Sequence, residues 1–147
     1  MDLDPDLPTG DEKAEKVQSM FDRIAPRYDF VNRIMTFRLD VRWRKQTVKA
    51  LNLETGSVVI DLACGTGDFC TELERAGMKA LGFDFSMGML EAGRSSSPLS
   101  QSDVLSLPIR SAIIDGATCG FALRNLTELG PFFSEVARVL KQGGRFG

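Results

Sequence analysis

The sequence contains no histidine, one tryptophan, one tyrosine and only three cysteines (Cys64, Cys70 and Cys119) among its 147 residues. Without histidine and without a Cys-x-x-Cys pair it lacks the donors of a zinc site, so no metal is expected. Three thiols with no disulfide framework fit a reducing compartment, and the cytoplasm is the expected location. No apolar run approaches the ~20 residues needed to span a bilayer. Neither sign of charge dominates: the formal net charge is -2. That balance argues against a nucleic-acid partner, which calls for a basic excess or a basic face. The opening segment, residues 1–11, is acidic and carries prolines, the opposite of a basic and apolar signal peptide. It reads as a disordered lead.

What is present is ordinary for a globular protein, 43% hydrophobic and 26% charged, with enough length for one domain around one core. Residues 12–52 read as helical. Val17, Met20, Phe21 and Ile24 recur at helical spacing until Pro26, with the bland expectation that they cover the sheet. A second amphipathic stretch holds Tyr28, Val31, Ile34 and Met35. A third runs from about Asp40 to Leu51 and includes Trp43, read as a core residue. From residue 53 to 147 strands and helices alternate. Ser57 to Leu62 is a β-branched run bounded by turn residues, a buried strand. A helix through Phe69, Leu73 and Ala76 follows and stops at Gly77. A second strand from Lys79 ends at Asp84, a helix spans Met87 to Arg94, and a weak third strand reaches Asp103. A fourth strand is expected from Asp115 to Phe121, a helix from Leu129 to Lys141, and a fifth strand that barely starts at Phe146 after a Gly143-Gly144 turn. Such alternation predicts an α/β fold, a parallel sheet with helices on both faces.

The strongest local signal is Asp61-Leu-Ala-Cys-Gly65-Thr66-Gly67. Glycines between a strand and a helix let the backbone approach a ligand where a Cβ would collide. Alone, such a loop signals little more than a turn; its context adds the rest. Asp84 closes the next strand, where a carboxylate can accept from both hydroxyls of a ribose, and Asp103 closes the third on the same edge. A dinucleotide fingerprint needs a third glycine, and that position holds Cys70. Asp61 beside the loop is awkward for a pyrophosphate but suits a ligand carrying an ammonium and a sulfonium. At a few ångströms in a half-buried site that difference is worth ~1–4 kcal/mol, which favours S-adenosylmethionine over NAD. The plainer reading of Asp61 is a cap that bonds the amides of the glycine loop.

Several segments resemble one family. Tyr28-Asp-Phe-Val-Asn32 through Thr36, Asp40 and Trp43 is similar to the N-terminal signature of the UbiE/MenG-type C-methyltransferases of ubiquinone and menaquinone biosynthesis. Asp61 to Asp68 resembles their cofactor loop, Gly120-Phe-Ala-Leu-Arg124-Asn125-Leu-Thr their F-G-L-R-N-V-T segment, and Arg138 to Arg145 their R-V-L-K-P-G-G-R. The likeness runs from about Val17 onward. It implies a Rossmann-like class I methyltransferase sheet preceded by helices that serve as a lid on the substrate side. It also implies S-adenosyl-L-methionine as cofactor, held by Asp61, Gly65, Thr66, Gly67, Asp84, Asp103, Val104 and Gly120, with Asp84 on the ribose and Asp103 and Val104 on the adenine.

The implied reaction is C-methylation of a demethylated prenyl quinol. Arg124 would stabilise the phenolate, Asn125 would orient it, and Tyr28 would pack against the ring. Peripheral contact with the inner membrane is the accompanying expectation. There are departures: Thr36 for serine, Val31 for methionine, Asp40 for histidine and Gln142 for proline, with a short stretch between Arg94 and Leu99. The family continues through three more strands, so a C-terminally truncated chain is expected, its fourth strand uncovered on one side and prone to self-association. The alternatives are a methyltransferase for another small molecule and a non-catalytic fragment that keeps cofactor affinity.

Overall fold

The computed structural model describes residues 11, 13–20, 39–120, 122–123 and 126–147. Residues 13–20 form a first helix, α1. It is followed by α2 (Leu39–Leu51), β1 (Val58–Leu62), α3 (Asp68–Arg75), β2 (Lys79–Asp84), α4 (Met87–Glu91), β3 (Leu99–Gln101), β4 (Ile114–Thr118), α5 (Leu129–Val139) and β5 (Leu140–Phe146). The five strands form one sheet in the order β3-β2-β1-β4-β5, and every neighbouring pair is parallel. The expected alternation therefore holds. Phe21 and Ile24 of the first stretch, and the second amphipathic stretch with Tyr28, Val31, Ile34 and Met35, lie outside the described residues.

The period of two along β1 sorts its side chains onto two faces. Ile60 and Leu62 join Phe83, Ile114, Phe132, Val136 and Val139 in one core, the side covered by α5. Val59 joins Val48, Leu51, Phe69, Cys70, Leu73 and Ala80 in the other, beneath α2 and α3. Because β1 is central, both of its faces are dry, which is why its sequence is a continuous apolar run broken by one charge. That charge is Asp61, and by alternation it shares the face of Val59, toward α2 and α3.

Packing between β2 and this second core is close. A Cβ at Gly82 would sit 2.5 Å from Leu99 Cδ2, 2.8 Å from Cys64 Sγ and 3.1 Å from Cys70 Sγ. Gly82→Ala is expected to lower stability by ~1–3 kcal/mol through overpacking, read as an earlier urea midpoint. An unchanged midpoint would mean that the sulfurs and Leu99 have room to move.

Several boundaries differ from expectation. The helix from Met87 ends at Glu91, with Ala92 as its C-cap, instead of reaching Arg94. β3 stops at Gln101, so Asp103 lies in the following loop. β4 covers Ile114–Thr118 and does not reach Phe121. α5 ends at Val139 because Leu140 turns to extended backbone (φ -71°, ψ 138°). β5 is thus a full strand, with Gly143-Gly144 inside it: the register moves from Ile114↔Leu140 to Gly116↔Arg145, and Gly143 takes a φ of 79° in the bulge. β5 also covers the side of β4 that was expected to be open. On that side the edge among the described strands is β5, with exposed Lys141 and Arg145, and charges of that kind discourage edge pairing. The ground for self-association through β4 is removed. Trp43, expected in the core, is 46% exposed.

Candidate functional site

From β1 the chain winds through β2 to β3 on one side, then crosses back to β4 and β5 on the other. The reversal opens a crevice beyond the carboxyl ends of β1 and β4, where open α/β sheets bind their ligands. A cavity of about 410 Å³ lies there, lined from β1 and its loop by Asp61, Cys64, Gly65 and Thr66, from the end of β2 by Asp84, and from the loop after β3 by Asp103 and Val104. Gly120 lines it beyond β4, and Arg44 of α2 and Asp68 of α3 complete the described wall on that side. Asp61 with Gly65, Asp84 and Asp103, read from the sequence as three strand ends, line one space, the third from the loop after its strand.

The glycine loop is held in left-handed backbone. Ala63, Gly65 and Gly67 have φ of 53°, 55° and 88°. Gly67 is the N-cap of α3 and lies outside the cavity lining, so its part is to shape the turn. Asp84 fixes the loop from below: one carboxylate oxygen accepts from the Gly65 amide at 2.7 Å and the other from the Ser86 amide at 2.8 Å. The capping role considered for Asp61 therefore falls to Asp84.

Asp61 is 2% exposed and takes a hydrogen bond from the Thr118 hydroxyl at 2.6 Å. Burial pushes its pKa up to about 7; the Thr118 bond opposes the shift, Asp84 adds to it, Arg44 opposes it and Asp68 adds to it. A buried carboxylate so placed is stabilised by any cation that enters the cavity. The three thiols are free, and burial raises the pKa of each, that of Cys119 to about 12, so they stay protonated and unreactive.

Sequence reasoning missed Thr118, Asp68 and Arg44. Arg44 was legible in principle: Arg44, Val48 and Leu51 fall at i, i+4 and i+7, the inward stripe of α2. Val48 and Leu51 are buried, and the Arg44 guanidinium lies 3.9 Å from Asp68. The position of α1 bears on the reading of Val17. Lys13, Ala14 and Val17 line the cavity, and the Gln18 side-chain amide donates to the Phe85 carbonyl at 3.2 Å. α1 covers the cavity, whereas sheet cover was expected of Val17.

At the other end, Asp103 Oδ1 accepts from the Leu105 amide at 2.9 Å, and Val104 is buried in the core. A Cβ at Gly120 would meet the Phe69 ring at 2.7 Å, so backbone alone forms the wall there. Tyr28, Arg124 and Asn125 lie outside the described residues. No cluster among the described residues could hold a metal ion, and no helix among them is long and apolar enough to cross a membrane.

A profile of the ubiE/COQ5 methyltransferase family matches residues 9–147. The demethylmenaquinone methyltransferase of Corynebacterium kroppenstedtii is 43% identical over 138 residues, 93% of this chain and 60% of that protein. The ubiquinone/menaquinone biosynthesis C-methyltransferase UbiE of Geobacter sulfurreducens is 38% identical over 146 residues, 91% of this chain and 57% of that protein. The chain thus spans between 57% and 60% of the length of these relatives. Among solved structures, a chain in the complex of the Haloferax volcanii Trm112 methyltransferase activator with a putative methyltransferase superposes with a TM-score of 0.72. It is 25% identical, and the match covers 86% of this chain and 57% of that one. A putative S-adenosyl-L-methionine-dependent methyltransferase from Methanococcus maripaludis shares the fold at a TM-score of 0.64 and 18% identity, covering 100% of this chain and 67% of that one. The sheet is the Rossmann-like one of class I methyltransferases.

Proposed function

The chain belongs to the ubiE/COQ5 methyltransferase family, and from that premise we propose that it works as an S-adenosylmethionine-dependent C-methyltransferase of a demethylated prenyl quinol. The names of the relatives support the substrate class. One observation carries the cofactor: a dry carboxylate, Asp61, faces a cavity of about 410 Å³ that is also lined by Asp84 at the end of β2 and Asp103 in the loop after β3. A buried anion lining a ligand-sized cavity favours a cationic ligand.

In this reading Asp61 faces the ammonium of the amino-acid tail and Arg44 its carboxylate. Asp84, at the end of β2 and in the cavity lining, takes the ribose hydroxyls. Asp103 accepts from the adenine amine, the Val104 amide donates to the ring, and Gly120 leaves room beside it. When bound, the cofactor supplies a methyl group on an electrophilic sulfonium. The protein's part is alignment in a dry site, which can remove ~7–11 kcal/mol of barrier. The ring carbon becomes nucleophilic when the quinol loses a phenolic proton to water. Arg124 holds the resulting phenolate and Asn125 orients it, with Tyr28 against the ring. Phe85, exposed at the cavity rim, and nearby Met87 offer apolar surface to the prenyl tail and to a membrane face.

Calorimetric titration with S-adenosylmethionine tests the cofactor, and transfer of labelled methyl to demethylmenaquinol tests the reaction. Binding with transfer only to some other acceptor would reject the quinol; absence of binding would reject the whole reading. Within it, Arg124→Ala is expected to lower turnover by ~10²–10³ while cofactor affinity changes less than threefold. Equal losses of both would remove the role given to Arg124.

A further inference from the structure

The segment between β3 and β4, residues 102–113, carries the adenine-side groups of the cavity yet belongs to no helix or strand. Inside it, Asp103 accepts from the Leu105 amide, and the Ser106 amide donates to the Asp103 carbonyl at 3.0 Å. These bonds set the local turn. They do not fix where it sits against the sheet.

The near end is tied to the sheet by the Ser102 amide, which donates to the Asp84 carbonyl at 2.8 Å, and by buried Val104; the far end is held by two side chains of α5. Glu135 Oε1 accepts from the Leu107 amide at 2.8 Å. Arg138 donates to the Leu107 carbonyl at 3.2 Å, the Ile109 carbonyl at 2.8 Å and the Ser111 hydroxyl at 3.3 Å. The two side chains are joined as a fork, Nε to Oε2 at 2.8 Å and Nη2 to Oε1 at 2.6 Å. Both groups of the Leu107 peptide unit pair are thus taken by α5, four residues from Asp103. The Leu107 side chain is itself buried in the core under α5.

We propose that Arg138 and Glu135 are positioning residues for the adenine end of the cofactor site, holding Asp103 to Leu105 against the cavity from behind. The adenine label rests on the functional reading above; the hold on the segment does not. Neither side chain is part of the cavity lining, so their effect is transmitted through the loop. Arginine suits the role because its planar fork spans two backbone carbonyls, a hydroxyl and a carboxylate together. Lysine offers a point charge and cannot do so.

The test uses the whole chain, with Arg138→Ala, Arg138→Lys and Glu135→Gln. Amide exchange without ligand is expected to speed up at Leu105 and Leu107 in Arg138→Ala, with Ile60 and Ala117 still protected. S-adenosylhomocysteine affinity is expected to fall about tenfold, the loss of one or two aligned hydrogen bonds. The decisive readout is the ratio of affinities for S-adenosylhomocysteine and S-inosylhomocysteine. Wild type should prefer the amine over the carbonyl by about tenfold or more, since a carbonyl facing Asp103 leaves the acceptor unpaired. Arg138→Ala and Arg138→Lys should bring that ratio within about threefold of unity. A role confined to stability would lower the melting temperature and both affinities together with the ratio intact, and that outcome overturns the proposal. So does unchanged exchange at Leu107. Should Arg138→Ala fail to fold, Glu135→Gln, which keeps an acceptor for Leu107 but weakens the fork, must show the same loss of discrimination in smaller degree or the proposal falls. A wild-type chain that binds neither nucleoside sinks the functional reading, and the exchange comparison then decides the hold on the segment by itself.

Discussion

Asp61→Asn is expected to weaken S-adenosylmethionine binding by about a hundredfold at pH 8 and, at the same pH, to leave the fold as stable as wild type or more so. Both effects come from one buried charge. The carboxylate keeps its Thr118 bond but has lost its water, and burial raises its pKa from 3.8 to about 7. The folded chain therefore holds this proton up to about pH 7, whereas the unfolded chain releases it near pH 4. Between those values the native state binds more protons, so stability from this group falls as pH rises. The loss totals ~4 kcal/mol and is complete above about pH 7. Asparagine can still accept from Thr118 and carries no charge, so this part of the pH dependence should vanish.

Affinity must run the other way. A cationic ligand favours the ionised carboxylate, so below about pH 7 binding releases a proton and weakens by up to ~tenfold per pH unit. Calorimetry from pH 6 to 8 should show that slope in wild type and none in Asp61→Asn. A variant that binds as tightly as wild type, or a wild-type affinity flat with pH, would show that Asp61 does not face the cation.

Phe132→Ala should cost ~3–5 kcal/mol in urea unfolding, the largest loss expected from a single truncation here. Its ring is 0% exposed and fills the core between α5 and the inner strands. It also meets Phe133 and Phe146 edge-on, with centroids 5.2 and 6.1 Å away. Removing the ring leaves a cavity that neighbours in the sheet cannot close without breaking strand pairing. Phe133 provides the control. It belongs to the same aromatic group but is 44% exposed, and Phe133→Ala should stay within ~1 kcal/mol of wild type. Equal losses would mean that the three rings act as one unit and that burial does not rank them. Because α5 carries Glu135 and Arg138, Phe132→Ala should also loosen the segment after β3 before the sheet unfolds.

The order of elements was legible because it is written in short-range patterns. The β-branched run before Asp61, the glycines after it and the charge closing β2 each need only a few neighbouring residues to be recognised. Boundaries that depend on pairing were not. β5 begins at Leu140 because Ile114 offers it a partner 26 positions away, and no local signal announces that. Likewise β3 ends early because only three of its residues find partners on β2.

Within the site, the sequence alone determined the chemistry available: an acidic strand end before a glycine loop and two further acidic positions at the pitch of successive strands. Tertiary structure decided how it is used. Asp84, not Asp61, ties down the glycine loop, and Asp61 is left buried against Thr118, a partner 57 residues along the chain. Arg44 reaches the same wall through the packing of α2. Periodicity specifies which face of an element is apolar, but not which other element will cover it. Desolvation, which sets the charge of Asp61, exists only once those faces have met.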